Sequence, residues 1–499
     1  MSALMEKLCR SLLMEHFGAA TCEVGCILFK YGPKTMTQFA NFTKLPANKI
    51  VEALYALIKF DIVAHEKLPR EVLYSIDIEK IFLLLRHHRY TTFVKKNMYD
   101  EAEMLFDVVL KNGYDTASQI IVKTYTRLEQ NPPERRASIP LLLEKFELLV
   151  KNQFIIRHSV NNDADTDAYN FIMPSLHVKD LIQLSQNTNV DTGDQNIFWK
   201  INFDRFTQDL RNEILVNTIT KRFDDNAGEL MKRLLILMDT RTAAWEDTSI
   251  PIAFNEIKED MKKNFPSIMP RLDQYIKVLE EDSCKFIMRV GDSGGGQYAV
   301  NMKEAFHQLA WATIENIVME RFGSKAARIF RLVRSCNYIE MEKIQQKVMF
   351  PPKETKHITY KLTEENYLHY RDFKKSGTNA PKTFYLFHID LDEVVRMTIE
   401  HCYHAIYSAI YRRNDDLSKN KRLIDKEWKI TTLVKNFREL GATPEQIANV
   451  EDQITPSEKA HLNQLSMRVE KLSTSECQVD DTLFVLQMYI RYHKSKLVK

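Results

Sequence analysis

The order helix, strand, loop, strand, helix recurs four times along this chain, and no other feature narrows its fold so far. The first copy reads "PANKIVEALYALIKF", "DIVAHE", "KLPR", "EVLYSI" and "DIEKIFLLLRHH". The second reads "IPLLLEKFELLVKNQ", "FIIRHSV", "NNDADTD" and "AYNFIM". The third sets the helix "MPRLDQYIKVLEED" before "KFIMRV", a glycine loop, "QYAVN" and "NMKEAFHQLA". The fourth runs "PPKETKHITYKLTEEN", "YLHYRDF", "KKSGTNAP", "KTFYLFHI" and "DLDEVVRM". An aromatic sits near the start of each returning strand, at Tyr74, Tyr169, Tyr298 and Tyr385, and these four are expected to be equivalent.

Helices followed by a two-stranded hairpin describe a winged helix, whose third helix and wing can lie against a duplex. The spacing of the four aromatics is uneven, which disfavours a strict solenoid. The expected fold is mainly α with small β-hairpins. Four tandem extended winged-helix domains, at residues 1–86, 87–184, 197–308 and 309–396, precede a C-terminal antiparallel coiled-coil hairpin at 397–499. The polar run 185–196, "SQNTNVDTGDQN", reads as a linker between the two pairs.

That hairpin is read from heptads. Leu462, Leu465, Val469, Leu472, Val479, Leu483, Leu486 and Ile490 follow alternating three- and four-residue steps, with Glu476 as the single break. Gly441 and Pro444 mark the bend.

The loop "VGDSGGGQ" spells the surround of a trypsin-like nucleophile at Ser293. A triad also needs a histidine base and a buried carboxylate, and no matching segment precedes it. Glycines there supply the positive φ angles that a hairpin loop requires, so Ser293 is read as a turn residue. No catalytic residue is assigned. Cys22 with Cys26, and His401 with His404, lack the third ligand a metal needs, so no metal or cofactor is expected. The seven cysteines fit a reducing compartment. No apolar run approaches the ~20 residues that span a bilayer.

Net charge is only +3, which excludes a uniformly basic nucleic-acid binder. Between Arg321 and Lys382, however, 14 Lys and Arg face 6 Asp and Glu, a local surplus of +8. Clusters of this kind neutralise phosphate. The DNA-proximal candidates are Lys325, Arg328, Arg331 and Arg334 on a helix, with Arg371, Lys374, Lys375 and Lys382 around the wing. Asp163, Asp165 and Asp167 make the second wing a poor neighbour for phosphate.

The runs "IMRVGDSGGGQYAVNMKEA", "ATIENIVMERFGSKAARIFRLV", "PPKET" and "FYLFHIDL" closely resemble a subunit family of nuclear RNA polymerase III. The opening "KLCRSLLMEHFG" and the tail "NKRLIDK" and "SECQVDDTLFVLQMYI" are similar to it too. That family is built from tandem extended winged helices with a C-terminal coiled coil and is related to the alpha subunit of transcription factor IIE. The resemblance implies a non-catalytic subunit in a detachable heterotrimer on the clamp of the largest polymerase subunit. It implies contact with promoter DNA, without base specificity, and with the initiation factor built around the TATA-binding protein, and help in opening DNA. It also implies a nuclear location, with import alongside partner subunits, because the longer basic linker that the family can carry is replaced here by 185–196. A free-standing winged-helix transcription factor or assembly scaffold is the alternative from the same fold.

Overall fold

In the computed structural model, residues 3–43, 45–67, 69, 71–129, 137–158, 173–174, 176–186, 192–374, 383–439, 446, 450 and 452–494 are described. The chain folds as two units, Cys9–Asn217 and Thr218–Lys499 with Met1–Leu8.

Cys9–Asn217 holds two winged helices. After α1 (Ala3–Phe17), the first has α2 (Ala19–Tyr31), β1 (Lys34–Thr35), α3 (Met36–Phe42), α4 (Ala47–Lys59), β2 (Val63–Lys67) and β3 (Val72–Ile76), leading into α5 (Ile78–Leu83). The second has α6 (His87–Asn112), β4 (Asp115–Thr116), α7 (Ala117–Glu129), α8 (Ile139–Lys151), β5 (Ile155–His158), α9 (Val178–Ser185) and β6 (Phe198–Ile201), then α10 (Phe203–Arg222).

The other unit holds the third winged helix, with α11 (Asp225–Asp239), β7 (Ile252–Ala253), α12 (Phe254–Asn264), α13 (Leu272–Glu281), β8 (Ile287–Gly291) and β9 (Gln297–Val300). α14 (Met302–Phe322) leads to the fourth: α15 (Ser324–Cys336), β10 (Ile339–Glu340), α16 (Met341–Val348), α17 (Pro352–Glu364), β11 (His369–Lys374) and β12 (Thr383–His388). The hairpin follows as α18 (Leu391–Lys419), α19 (Lys421–Glu439) and α20 (Pro456–Lys494).

All four sheets have one topology. The last strand runs in the centre, antiparallel to a two-residue strand on one side and to the outgoing wing strand on the other. Three backbone devices recur, each in three of the four copies. α4 is amphipathic through Ile50, Ala53, Leu54 and Leu57, all buried. It stops because Asp61 turns left-handed at φ 59°, and the Ile62 N–H then donates to the Leu57 carbonyl at 3.0 Å. Gln153 and Asn366 end α8 and α17 the same way, with Phe154 donating to Leu149 and Tyr367 to Leu362. The residue after the central strand ties the sheet off: the N–H groups of Asp77, Asn202 and Asn301 donate to Ile62, Phe154 and Phe286 at 2.9 Å. Asp77, Asn301 and Asp390 also cap the next helix with their side chains.

The second unit corrects the reading from sequence. The strand that returns beside Ile155–His158 is Phe198–Ile201, not "AYNFIM", whose residues 168–172, Tyr169 among them, lie outside the described residues. Residues 185–196 are therefore not a linker between domains, and the second winged helix does not stop at 184. Their polarity has a local cause. Asp194, 1% exposed, accepts from the Ser118 N–H at 2.8 Å, the Ser118 hydroxyl at 2.9 Å and the Thr192 hydroxyl at 2.5 Å. It thereby satisfies donors at the start of α7. Other boundaries also fall inside elements, since α14 runs through 308/309 and α18 through 396/397.

The aromatic register shifts too. In the first and third sheets the centre-strand residue opposite the first residue of the short strand is Tyr74 or Tyr298, as expected. In the second it is Trp199 and in the fourth Phe387, so Tyr385 is not the equivalent. Tyr385 instead pairs with Asp372 further out on the wing.

Candidate nucleic-acid interface and assembly seam

The four basic residues of α15 recur every third position, yet α15 is the first helix of its winged helix; the third is α17. Three of the four are engaged within the unit. Lys325 donates to Glu354 at 2.5 Å, and Arg331 pairs with Glu315. Arg334 is half-buried, donates to Gln308 at 2.8 Å and lies 4.6 Å over the Trp311 ring, where burial opposes its charge. Arg328 is exposed and rests 5.4 Å over Phe350. On the wing, Arg371 is exposed and 5.9 Å over Tyr338. Lys374 pairs through its backbone with Thr383, whereas Lys375 and Lys382 lie outside the described residues, as do Asp163, Asp165 and Asp167.

α17 itself presents a different basic row. Lys353, Lys356, His357 and Tyr360 are exposed on one face, Tyr360 at 69%, while Thr355, Thr359 and Leu362 turn inward. None of the four makes an ion pair among the described residues. The only carboxylate in the first turn is Glu354, which Lys325 neutralises. The bond from α15 thus clears the positive end of α17 of bare negative charge. Sequence inspection passed over this row because the evenly spaced Lys325, Arg328, Arg331 and Arg334 carry the denser basic signal, and their engagement becomes visible only once Glu315 and Glu354 are assigned as partners.

The other third helices offer no such face. The exposed positions of α4 include Asn48, Lys49, Val51, Glu52 and Tyr55, those of α8 include Glu144 and Leu148, and those of α13 include Asp273, Lys277, Val278 and Glu281. Apolar and acidic surfaces of this kind suit protein and repel phosphate.

The seam is present and unevenly buried. Leu462, Leu465, Leu483 and Leu486 are buried, and Val469, Leu472, Val479 and Ile490 are half-buried. α20 packs along α18, where Val395, Ile399, Cys402, Ile406 and Ile410 are buried. Burial, with Asp480 adding to it, pushes the Cys402 thiol up to about 12. Toward its C-terminus α20 also meets α14, where Tyr492 stacks on Phe306 at 5.6 Å and Tyr489 faces His307 at 6.0 Å. The foot is thus a three-helix contact, which is why Phe484, Met488, Tyr489 and Tyr492 are buried off the heptad positions. The bend residues Gly441 and Pro444 lie outside the described residues.

Ser293 stands on the exposed 3-10 turn of the third wing. Gly296, at φ 114°, brings the turn so close that an added Cβ would meet the Tyr298 ring at 3.1 Å. Close approach explains the glycines. Among the described residues no three His, Cys, Asp or Glu side chains are grouped to hold a metal, and no helix is long and apolar enough to cross a membrane.

Four family models match successive stretches. They are an RNA polymerase III subunit RPC82 helix-turn-helix domain at 7–66, RNA polymerase III subunit RPC82 at 143–309, a POLR3C C-terminal winged-helix domain at 314–389, and a DNA-directed RNA polymerase III subunit RPC3 helical hairpin domain at 422–485. The chain is 30% identical to DNA-directed RNA polymerase III subunit RPC3 of Rattus norvegicus, over 97% of this chain and 98% of that one. It belongs to the RPC3 family of RNA polymerase III subunits. RPC3 of Homo sapiens is also 30% identical over the same shares, and RPC3 of Danio rerio is 30% identical over 98% of this chain and 99% of its own. The match at 314–389 holds α15 to β12, whereas the match at 143–309 begins inside α8 and runs through the third sheet into α14.

Proposed function

We propose that this RPC3-family chain is a non-catalytic subunit that supports initiation by RNA polymerase III, with its fourth winged helix against DNA and its other three against protein. The observation that carries this reading is the contrast among four copies of one fold: only α17 turns an uncompensated basic face to solvent. Lys353 and Lys356 lie in its first two turns, where a third helix meets a duplex. Contacts of this kind position a protein on the backbone and carry no base readout. Of the earlier candidates, Arg328 and Arg371 remain exposed beside that face, and Lys374, Lys375 and Lys382 remain candidates at the wing. Lys325, Arg331 and Arg334 act as supports.

In this reading the heterotrimer partners, the clamp of the largest subunit and the factor containing the TATA-binding protein meet the apolar and acidic third helices and the hairpin. The place of action is the nucleus. The test is a salt titration of polymerase binding to promoter DNA. Lys353→Glu with Lys356→Glu should lower the slope of log K against log salt by about 2, one unit per phosphate contact. An unaltered slope removes α17 from the interface.

A further inference from the structure

A thiol and an amine meet on the surface of the fourth winged helix. α15 ends at Cys336, and Asn337 then turns left-handed at φ 57°, so the chain leaves the helix for β10 and α16. The Tyr338 N–H pins that turn by donating to the Cys336 carbonyl at 2.7 Å. Ile344 and Val348 form the buried face of α16, and α16 packs on α15. That packing sets Lys347 beside the end of α15, where its Nζ donates to the Cys336 Sγ at 3.6 Å. The Ser335 Oγ stands 3.8 Å from the same sulfur.

The pair is open to solvent. Lys347 is exposed and Cys336 is half-buried, whereas Cys9, Cys22 and Cys402 are buried. Lys347 has no carboxylate partner among the described residues, while Lys343, one turn earlier on α16, pairs with Glu340 at 3.8 Å. A thiolate attacks thioesters far more readily than an amine does. An acyl group on the Cys336 sulfur brings its carbonyl carbon within about 3–3.5 Å of the Lys347 nitrogen, the separation at which proximity turns a slow bimolecular attack into a fast local one.

We infer that Cys336 and Lys347 form an acyl-relay site, at which Cys336 takes an acyl group from an acyl-coenzyme A thioester and passes it to the Lys347 amine. In the first step the Cys336 thiolate attacks the thioester carbonyl, the carbon–sulfur bond to coenzyme A breaks, and coenzyme A leaves as its thiolate. In the second, the deprotonated Lys347 Nζ attacks the new thioester, a carbon–nitrogen bond forms and the Cys336 thiolate leaves. The proton left on nitrogen passes to water. One amine and one thioester thus give one amide and one coenzyme A thiol, with no oxidant or reductant. The product removes a cation from the last turn of α16, where it is favourably placed against the helix carbonyls. The site is separate from the DNA reading of α17 and stands whether or not that helix meets a duplex.

The test incubates the full-length chain with acetyl-coenzyme A at mildly alkaline pH and follows each lysine by mass spectrometry of its proteolytic peptides. Lys353 and Lys356, exposed and without ion pairs among the described residues, serve as references. Lys347 should be acetylated about ten-fold faster than either, and Cys336→Ala should bring it down to their rate while leaving theirs unchanged. Lys347→Arg should instead accumulate an acetyl group on Cys336 that hydroxylamine releases. Equal rates at the three lysines, a Lys347 rate indifferent to Cys336→Ala, a fall shared by all three, or no hydroxylamine-labile acetyl on Cys336 in the Lys347→Arg chain each overturns the inference.

Discussion

Arg413 of α18 and Glu476 of α20 meet at 2.8 Å, at the one step of the heptad seam that lacks an apolar residue. Both side chains are largely shielded, at 16% and 12% exposure, so the pair sits where water screens it poorly. An ion pair inside an apolar seam fixes register, because sliding either helix by a turn would strand a charge. Glu476→Ala should therefore destabilise the unit by about 2–4 kcal/mol, whereas Glu476→Leu with Arg413→Met should recover most of the loss. Thermal melts of the three variants decide it; equal melting for all would show that the pair carries no weight.

The two basic helices of the fourth winged helix should respond differently to mutation. Arg331→Gln removes an exposed pair with Glu315 and should cost at most about 1 kcal/mol, leaving the salt dependence of DNA binding as it was. Lys325→Gln exposes Glu354 at the start of α17 and should weaken DNA binding although Lys325 touches no phosphate. Adding Glu354→Gln to that variant should restore it. Anisotropy titrations at two salt concentrations distinguish these outcomes.

Asp194 supplies a check on the second sheet. Asp194→Ala leaves the Ser118 N–H and hydroxyl without their acceptor in a buried site, a loss of about 1–3 kcal/mol. A true linker aspartate would be neutral. Urea melts of wild type and variant at pH 7.5 give the answer.

His87 makes the unit Cys9–Asn217 acid-sensitive. Burial, with the charges of His16 and His88 added, depresses its imidazole to about 3, and its ring stacks on Phe203 at 5.8 Å. The unfolded chain takes up the proton below about pH 6.5 while the folded chain refuses it, so this contribution is complete above that pH and shrinks steadily down to about 3. At pH 5.5 the loss is no more than about 1.4 kcal/mol, since part of the ring reaches solvent. His87→Leu should flatten the stability difference between pH 7.5 and 5.5, as read by denaturant melts at the two pH values.

Much of the scaffold was legible because its signals are local. "DIEK", "NMKE" and "DLDE" each place a capping side chain within two residues of a strand's end, and "QYAV" is present as the largely buried centre strand of the third sheet. The second sheet was illegible because its two wing strands are separated by residues 159–197, and the pairing of Arg157 with Trp199 leaves no trace over that distance. In the fourth wing three aromatics crowd into "TFYLF", so sequence could not select Phe387. The candidate interface was half legible. Clustering of charge identified the fourth winged helix, but which lysines are free depends on Glu315 and Glu354, whose pairing is a property of helix packing.

One shared element sets how this protein can be divided. α14 rises directly from the centre strand of the third sheet, packs on the first helix of the fourth winged helix and receives the foot of the hairpin. A fragment cut at residue 308 would shear that rod after two turns and strip three neighbours of their common support at once. Dissection by truncation would then report collapse where it sought separable parts, and only point substitution can assign work to the third and fourth winged helices individually.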